Sequence, residues 1–248
     1  TPEALVFLKR WKDSRSFEKC FEWHSDECAK VLGIEEDLET RDFRTLIELD
    51  YFRLIDRKII SDLVRAVGNR TESGGDVALW VRQRRQSHWY GEFRHSYEAI
   101  DYAAKFLHAM DEATLSMESL QDGVERYRTS WYLLDQLYRK FVYHERMAGQ
   151  ASLMESLSEQ IENLYSNNFL LKLNDRWQTF VDETPMWGPT PMRLQRTFFK
   201  QWVQPFLKKD NKVCVIVSDA MRYEVGDELI GLIRQEDRYN AEMDSALS

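Results

Sequence analysis

The chain has 248 residues, 43% of them apolar, with 8 Trp, 11 Tyr and 13 Phe, which suits one large domain or two smaller ones and excludes a disordered chain, because rings leave water only when packed. A formal charge of -8 excludes a surface drawn as a whole to nucleic-acid phosphates, although local basic patches remain open. Only ten Gly and five Pro argue against a many-stranded sheet, which needs frequent turn signals.

No apolar run approaches the roughly twenty residues of a membrane span, and Thr1-Pro2-Glu3 lacks the features of a secretory signal. The odd set Cys20, Cys28 and Cys214 fits a reducing compartment, so a cytoplasmic protein is expected. A start without methionine gives the expectation of a fragment or processed product.

In chain order, Leu5, Leu8, Trp11, Phe17, Phe21 and Trp23 predict helix interrupted near Ser14 and Ser16. Glu35, Glu36, Asp37 and Glu39 read as the charged first turn of a helix that starts near Thr40, where acids suit the helix dipole. From Phe43 the stripe Leu46, Ile47, Tyr51, Leu54, Ile55, Ile59, Leu63 and Val67 predicts one helix ending at Gly68-Asn69. Thr71 to Asp76 reads as an exposed, mobile loop. Further stripes run from Tyr97 to Met110, from Val124 through Trp131 and Leu134 to Phe141, and from Leu153 through Ile161 and Phe169 to Phe180. Helices with one apolar face bury it against each other, so a multi-helix array is expected over 1–184.

Thr184 to Pro191 holds three of the prolines and reads as a boundary. Residues 185–211 then form a linker and a connecting helix, with Leu194, Phe198, Trp202 and Phe206 inward. The pattern changes at 212–248. Val213-Cys214-Val215-Ile216-Val217 is a β-branched run of strand length, of the kind buried on both faces in parallel sheets. A helix follows from Tyr223 to Ile233, and Tyr239, Ala241 and Met243 alternate as a second strand. The expected fold is therefore mainly α, followed by the first βαβ unit of an α/β domain whose remaining strands come from further sequence.

Ligands of open α/β sheets gather beyond the carboxyl ends of the strands, and Asp219 stands just past Val217. A carboxylate there suits a divalent cation that polarises a phosphoryl group, and Arg222 suits a phosphate contact. Ser218 or Asp219 can equally cap the next helix. The turn lacks the glycines and Lys-Ser/Thr of a P-loop and the GxGxxG of a dinucleotide site. A haloacid-type phosphatase would place a second Asp where Met221 stands.

Lys212-Val-Cys-Val-Ile-Val-Ser-Asp-Ala-Met-Arg-Tyr-Glu-Val-Gly-Asp-Glu-Leu229 resembles the opening motif of the PglZ domain, a branch of the alkaline phosphatase superfamily found in BREX phage-defence systems. The helical region before it, including Ser87-His88-Trp89-Tyr90, is similar to the lead-in of such proteins. The resemblance implies a metal-dependent phosphatase or phosphodiesterase in a longer parent, with Asp219 as a ligand of a divalent metal, usually zinc. It also implies that the Ser or Thr nucleophile and the other Asp and His ligands lie further along. Neither Ser245 nor Ser248 is supported as that nucleophile. On this reading the chain alone is inactive, and its helical region supports the catalytic domain and docks other BREX proteins.

Two other constellations compete. Arg82, Arg84, Arg85 and Trp89, with Trp80, His88, Tyr90, Arg94, His95 and Tyr97 nearby, mix bases with rings as single-strand nucleic-acid surfaces do. The alternative is an amphipathic helix with paired arginines and buried rings, followed by a turn at Gly91. Cys20, His24 and Cys28 share one helical face and could begin a zinc site, or be ordinary helix positions. His108 and His144 read as core or interface histidines. A pure protein-interaction module remains a further alternative.

Overall fold

The computed structural model describes residues 2–149, 151–185, 193–219, 221–236 and 240–246. The chain forms two compact units, one of residues 1–111 and 137–164 and the other of 112–136 and 165–248. No helix among the described residues is long and apolar enough to cross a membrane.

The first unit contains α1 (Pro2–Lys12), α2 (Glu18–Val31), α3 (Ile34–Glu39), α4 (Arg53–Gly68), α5 (Gly74–Arg84) and α6 (Tyr90–Glu112), with residues 137–148 of α8 (Tyr132–Ala148) and helix α9 (Ala151–Asn163). The predicted stripes make its core. Ile59, Ile60 and Leu63 of α4, Ile100, Ala103 and Phe106 of α6, and Ile161 of α9 are all 0% exposed. Side chains three and four apart share a helix face, so each turn adds one or two to a common apolar interior, where burial of each large one is worth about 1.5–3 kcal/mol.

The single helix expected from Phe43 is split. Phe43–Leu46 is a 3-10 turn capped by Asp42, whose Oδ1 accepts from the Arg44 amide at 2.8 Å, and α4 begins only at Arg53. The reason lies in the carbonyls of Ile47 and Leu49. Both accept from Arg84 Nη1, at 2.9 and 2.7 Å, in place of helical amides. The acids Glu35, Glu36 and Asp37 lie in the first turn of α3, upstream of the helix start expected near Thr40. Gly74 to Asp76, expected in a loop, open α5 because the Ser73 hydroxyl accepts from the Asp76 amide at 3.1 Å and caps the helix. Gly91 lies inside α6, and the turn falls before it. His108 is exposed rather than buried in a core or interface.

The second unit holds α7 (Leu120–Arg126), a π-turn at Tyr127–Trp131, the start of α8 (Tyr132–Ala148), α10 (Lys172–Asp182), α11 (Gln204–Leu207) and α12 (Tyr223–Gln235). The predicted stripe from Val124 to Phe141 is thus helical but underwound at its middle. Thr129 and Ser130 explain it: their hydroxyls donate to the carbonyls of Glu125 and Arg126, at 2.9 and 3.1 Å, and compete with backbone amides for those acceptors. A second π-turn, Leu164–Leu171, interrupts the stripe that began at Leu153.

The expected βαβ unit is present here only as its helix. Val213 to Val217 makes no strand, and nor do Ala241 and Met243. Ile216 and Val217 are 89% and 88% exposed, because no neighbouring strand among the described residues offers them a ladder or a second face. Tyr239 and the proline-rich boundary from Met186 to Pro191 lie outside the described residues.

Candidate functional site

Asp219 occupies an exposed turn between this apolar run and α12. Arg222 adopts extended geometry as the residue before the helix. Its guanidinium reaches back to Glu224, with Nη2 2.6 Å from Oε1, and the Glu224 side chain is fully buried. A buried carboxylate is costly unless paired, so Glu224 fixes Arg222 and with it the first turn of α12.

The same part of the second unit contains a second buried acid. Asp135 is 6% exposed and accepts from two phenols, Tyr127 at 2.5 Å and Tyr165 at 2.8 Å. Burial, then the bonds to the Asp135 carboxylate, hold both hydroxyls far above the ordinary tyrosine range. Partial burial works against the charge of Arg222, and Glu224, Asp135 and Tyr165 outweigh it, so its pKa is raised. Gln136 Nε2 donates to the Glu224 carbonyl at 3.2 Å, and the Tyr223 hydroxyl to the Arg128 carbonyl at 3.3 Å. Helix α12 is thereby tied by its first turn to residues 127–136. Beside it lies a cavity of about 700 Å³ whose lining includes Tyr127, Trp131, Asp135, Phe169, Trp177 and Tyr223.

A catalytic metal needs three or more protein ligands, and no group of three His, Cys, Asp or Glu converges among the described residues. Asp219 supplies one carboxylate, so a catalytic metal centre does not fit the described residues of this chain alone. Cys20, His24 and Cys28 are exposed and gather no further ligand; His24 packs instead against Trp11 and Trp23, with ring centroids 5.6 and 4.6 Å away.

The four residues considered for nucleic acid do not share an exposed surface. Arg82 is exposed, and Arg85 pairs with Glu98 at 2.9 Å. Arg84 is completely buried, held by Asp56 at 2.6 Å. The Trp89 ring is 2% exposed and lies under the Arg53 guanidinium, 4.9 Å from its centroid. Stacking bases needs an open ring face, which Trp89 does not offer. The sequence reading passed over Asp135 and Glu224. The only signal was an acid set within or beside an apolar helical stripe, next to Leu134 and Tyr223, a pattern that surface acids also produce.

Residues 198–248 match the family model of the BREX system PglZ alkaline phosphatase-like domain. The chain is similar to the alkaline phosphatase-like protein PglZ of Bacillus cereus (strain H3081.97), 26% identical over 237 residues that make up 94% of this chain and 28% of that protein. It is similar also to the alkaline phosphatase-like protein BrxZ of Escherichia coli O9:H4 (strain HS), 27% identical over 266 residues, 98% of this chain and 30% of that protein. The PglZ resemblance carried by Lys212 to Leu229 is therefore borne out, and similarity extends over nearly the whole chain. The chain spans less than a third of either relative's length. No solved structure gives a significant match.

Proposed function

We propose that this chain is the helical region and the opening of the PglZ domain of a BREX metal-dependent phosphatase or phosphodiesterase acting in antiphage defence in the cytoplasm. The observation that carries this reading is the match over 198–248, which contains Asp219 and Arg222, continuous with similarity along the preceding helices. In this proposal residues 1–184 are the helical domain, 185–211 the connection and 212–248 the catalytic domain's first segment.

Val213 to Val217 becomes a central parallel strand once the rest of the sheet flanks it. Its exposed β-branched side chains support that, since an apolar run of this kind is stable in water only when covered. Asp219, at the strand's carboxyl end, then serves as one ligand of a divalent metal, zinc by family resemblance, and Arg222 stands close enough in sequence to meet a phosphoryl oxygen. Its bond to Glu224 would be exchanged for, or shared with, that anion. The chain by itself is inactive and acts as support and docking region for other BREX proteins. Exposed apolar side chains on α1 and α2, among them Phe7, Trp23 and Val31, favour the docking role.

Hydrolysis of bis(p-nitrophenyl) phosphate by the complete protein tests the reading. Asp219→Ala should abolish turnover with the fold intact, and the 248-residue chain should show none. Full activity in the Asp219→Ala protein would refute the assignment.

A further inference from the structure

His95 of α6 and His144 of α8, both in the first unit, face each other with Nδ1 to Nδ1 at 2.9 Å. We propose that they form a two-imidazole site for a divalent transition ion of the copper(II) or nickel(II) type. This is separate from Asp219 and does not depend on the phosphatase reading.

The spacing, that of a hydrogen bond without metal, also admits such an ion. Metal–imidazole bonds are about 2.0–2.1 Å, so nitrogens at the observed separation subtend roughly 90° at a shared ion, whereas a tetrahedral pair would stand roughly 3.3–3.4 Å apart. A right angle is the cis angle of tetragonal copper or nickel. Without metal, one Nδ1 carries the proton and the other accepts it; an ion replaces that proton and takes both lone pairs.

The rings are held for this. Tyr102 stacks on His144 with centroids 5.5 Å apart and planes 23° apart, and Tyr143 packs edge-on against both imidazoles at 6.1 and 5.0 Å. Both histidines are half-buried, so protein fixes one side and water can reach the other. No third His, Cys, Asp or Glu completes the set among the described residues, which leaves the remaining positions to water. Of the charges around His144, Glu98 favours a bound cation while Arg94 and Lys140 oppose it, so moderate affinity is expected.

Calorimetric titration of the full chain with Ni²⁺, after alkylation of Cys20, Cys28 and Cys214, tests the site. One ion should bind at pH 7.5 and be displaced by protons at pH 5.5. His95→Gln and His144→Gln should each weaken binding by at least the 10–100-fold, roughly, that loss of an outer-shell partner costs. Should either variant unfold, Cu²⁺ bound to the alkylated wild type must show hyperfine coupling to two imidazole nitrogens. Absence of Ni²⁺ uptake, wild-type affinity in folded variants, or a copper signal without that coupling would overturn the proposal.

Discussion

Arg84 and Asp56 are both completely removed from water and meet through two bonds, Nη2 to Oδ2 at 2.6 Å and Nε to Oδ1 at 3.2 Å. Tyr97 donates to the same Asp56 Oδ1 at 2.6 Å, and Arg84 also binds the carbonyls of Ile47 and Leu49. One side chain thus joins α5 to α4 and to the segment before it. Removing one partner strands a buried charge, which costs about 3–5 kcal/mol. Asp56→Ala and Arg84→Met should each lower the urea midpoint accordingly, while Arg82→Ala, at an exposed position of the same helix, should leave it within about 0.5 kcal/mol. Equal effects of Arg84→Met and Arg82→Ala would contradict the buried network.

In the second unit, Tyr127→Phe and Tyr165→Phe each deprive the buried Asp135 carboxylate of a donor. Bonds to a charged acceptor contribute about 1.5–3 kcal/mol, so losses of that order are expected in equilibrium unfolding. Spectrophotometric titration of the native protein should also show fewer phenols ionising in the ordinary range than the unfolded chain does, because burial and Asp135 raise both. A downward shift of both titrations in the Asp135→Asn variant, with burial still holding them above the ordinary range, would fit; unchanged spectra would not.

The His144 pKa is lowered by burial. The unfolded chain therefore takes up this proton at higher pH than the folded one, so stability is complete above the ordinary histidine value, about 6.5, and falls as pH drops through the depressed folded value. Melting temperature measured from pH 7.5 to 5.0 should decline less steeply in His144→Gln than in the wild type. A parallel decline would place the acid sensitivity elsewhere.

The Ser73 cap predicts a smaller effect. Ser73→Ala leaves the Asp76 amide without its side-chain acceptor and should cost about 0.5–2 kcal/mol, read by thermal unfolding. Ser73→Thr, which keeps the hydroxyl, should recover most of it.

Helical periodicity was legible because the burial pattern of Ile59, Leu63, Tyr97, Ile100, Leu157 and Ile161 is local, set by spacing along one helix. What periodicity does not contain is a long-range competitor for a backbone carbonyl. Arg84 lies far along the chain from Ile47 and Leu49, and it is this contact that splits the helix expected from Phe43. The π-turn at Tyr127–Trp131 was hidden for the opposite reason, since serine and threonine bonds to the preceding turn leave the apolar spacing nearly intact. At the candidate site, Asp219 stands out in the sequence only as an acid that follows strand-length apolar residues. The anchoring of Arg222 by Glu224 was not, because a buried acid on an amphipathic helix looks like an exposed one. Arg84 and Trp89 show the same ambiguity, since bases beside rings describe a binding surface and a buried network equally well.

Metal content decides whether Asp219 is a ligand. The complete protein and its Asp219→Ala variant, purified alike and shown to be folded, can be compared by elemental analysis. The wild type should retain a divalent metal, zinc foremost, and the variant should lose at least one equivalent of it; equal metal in both proteins would rule out the ligand role of Asp219.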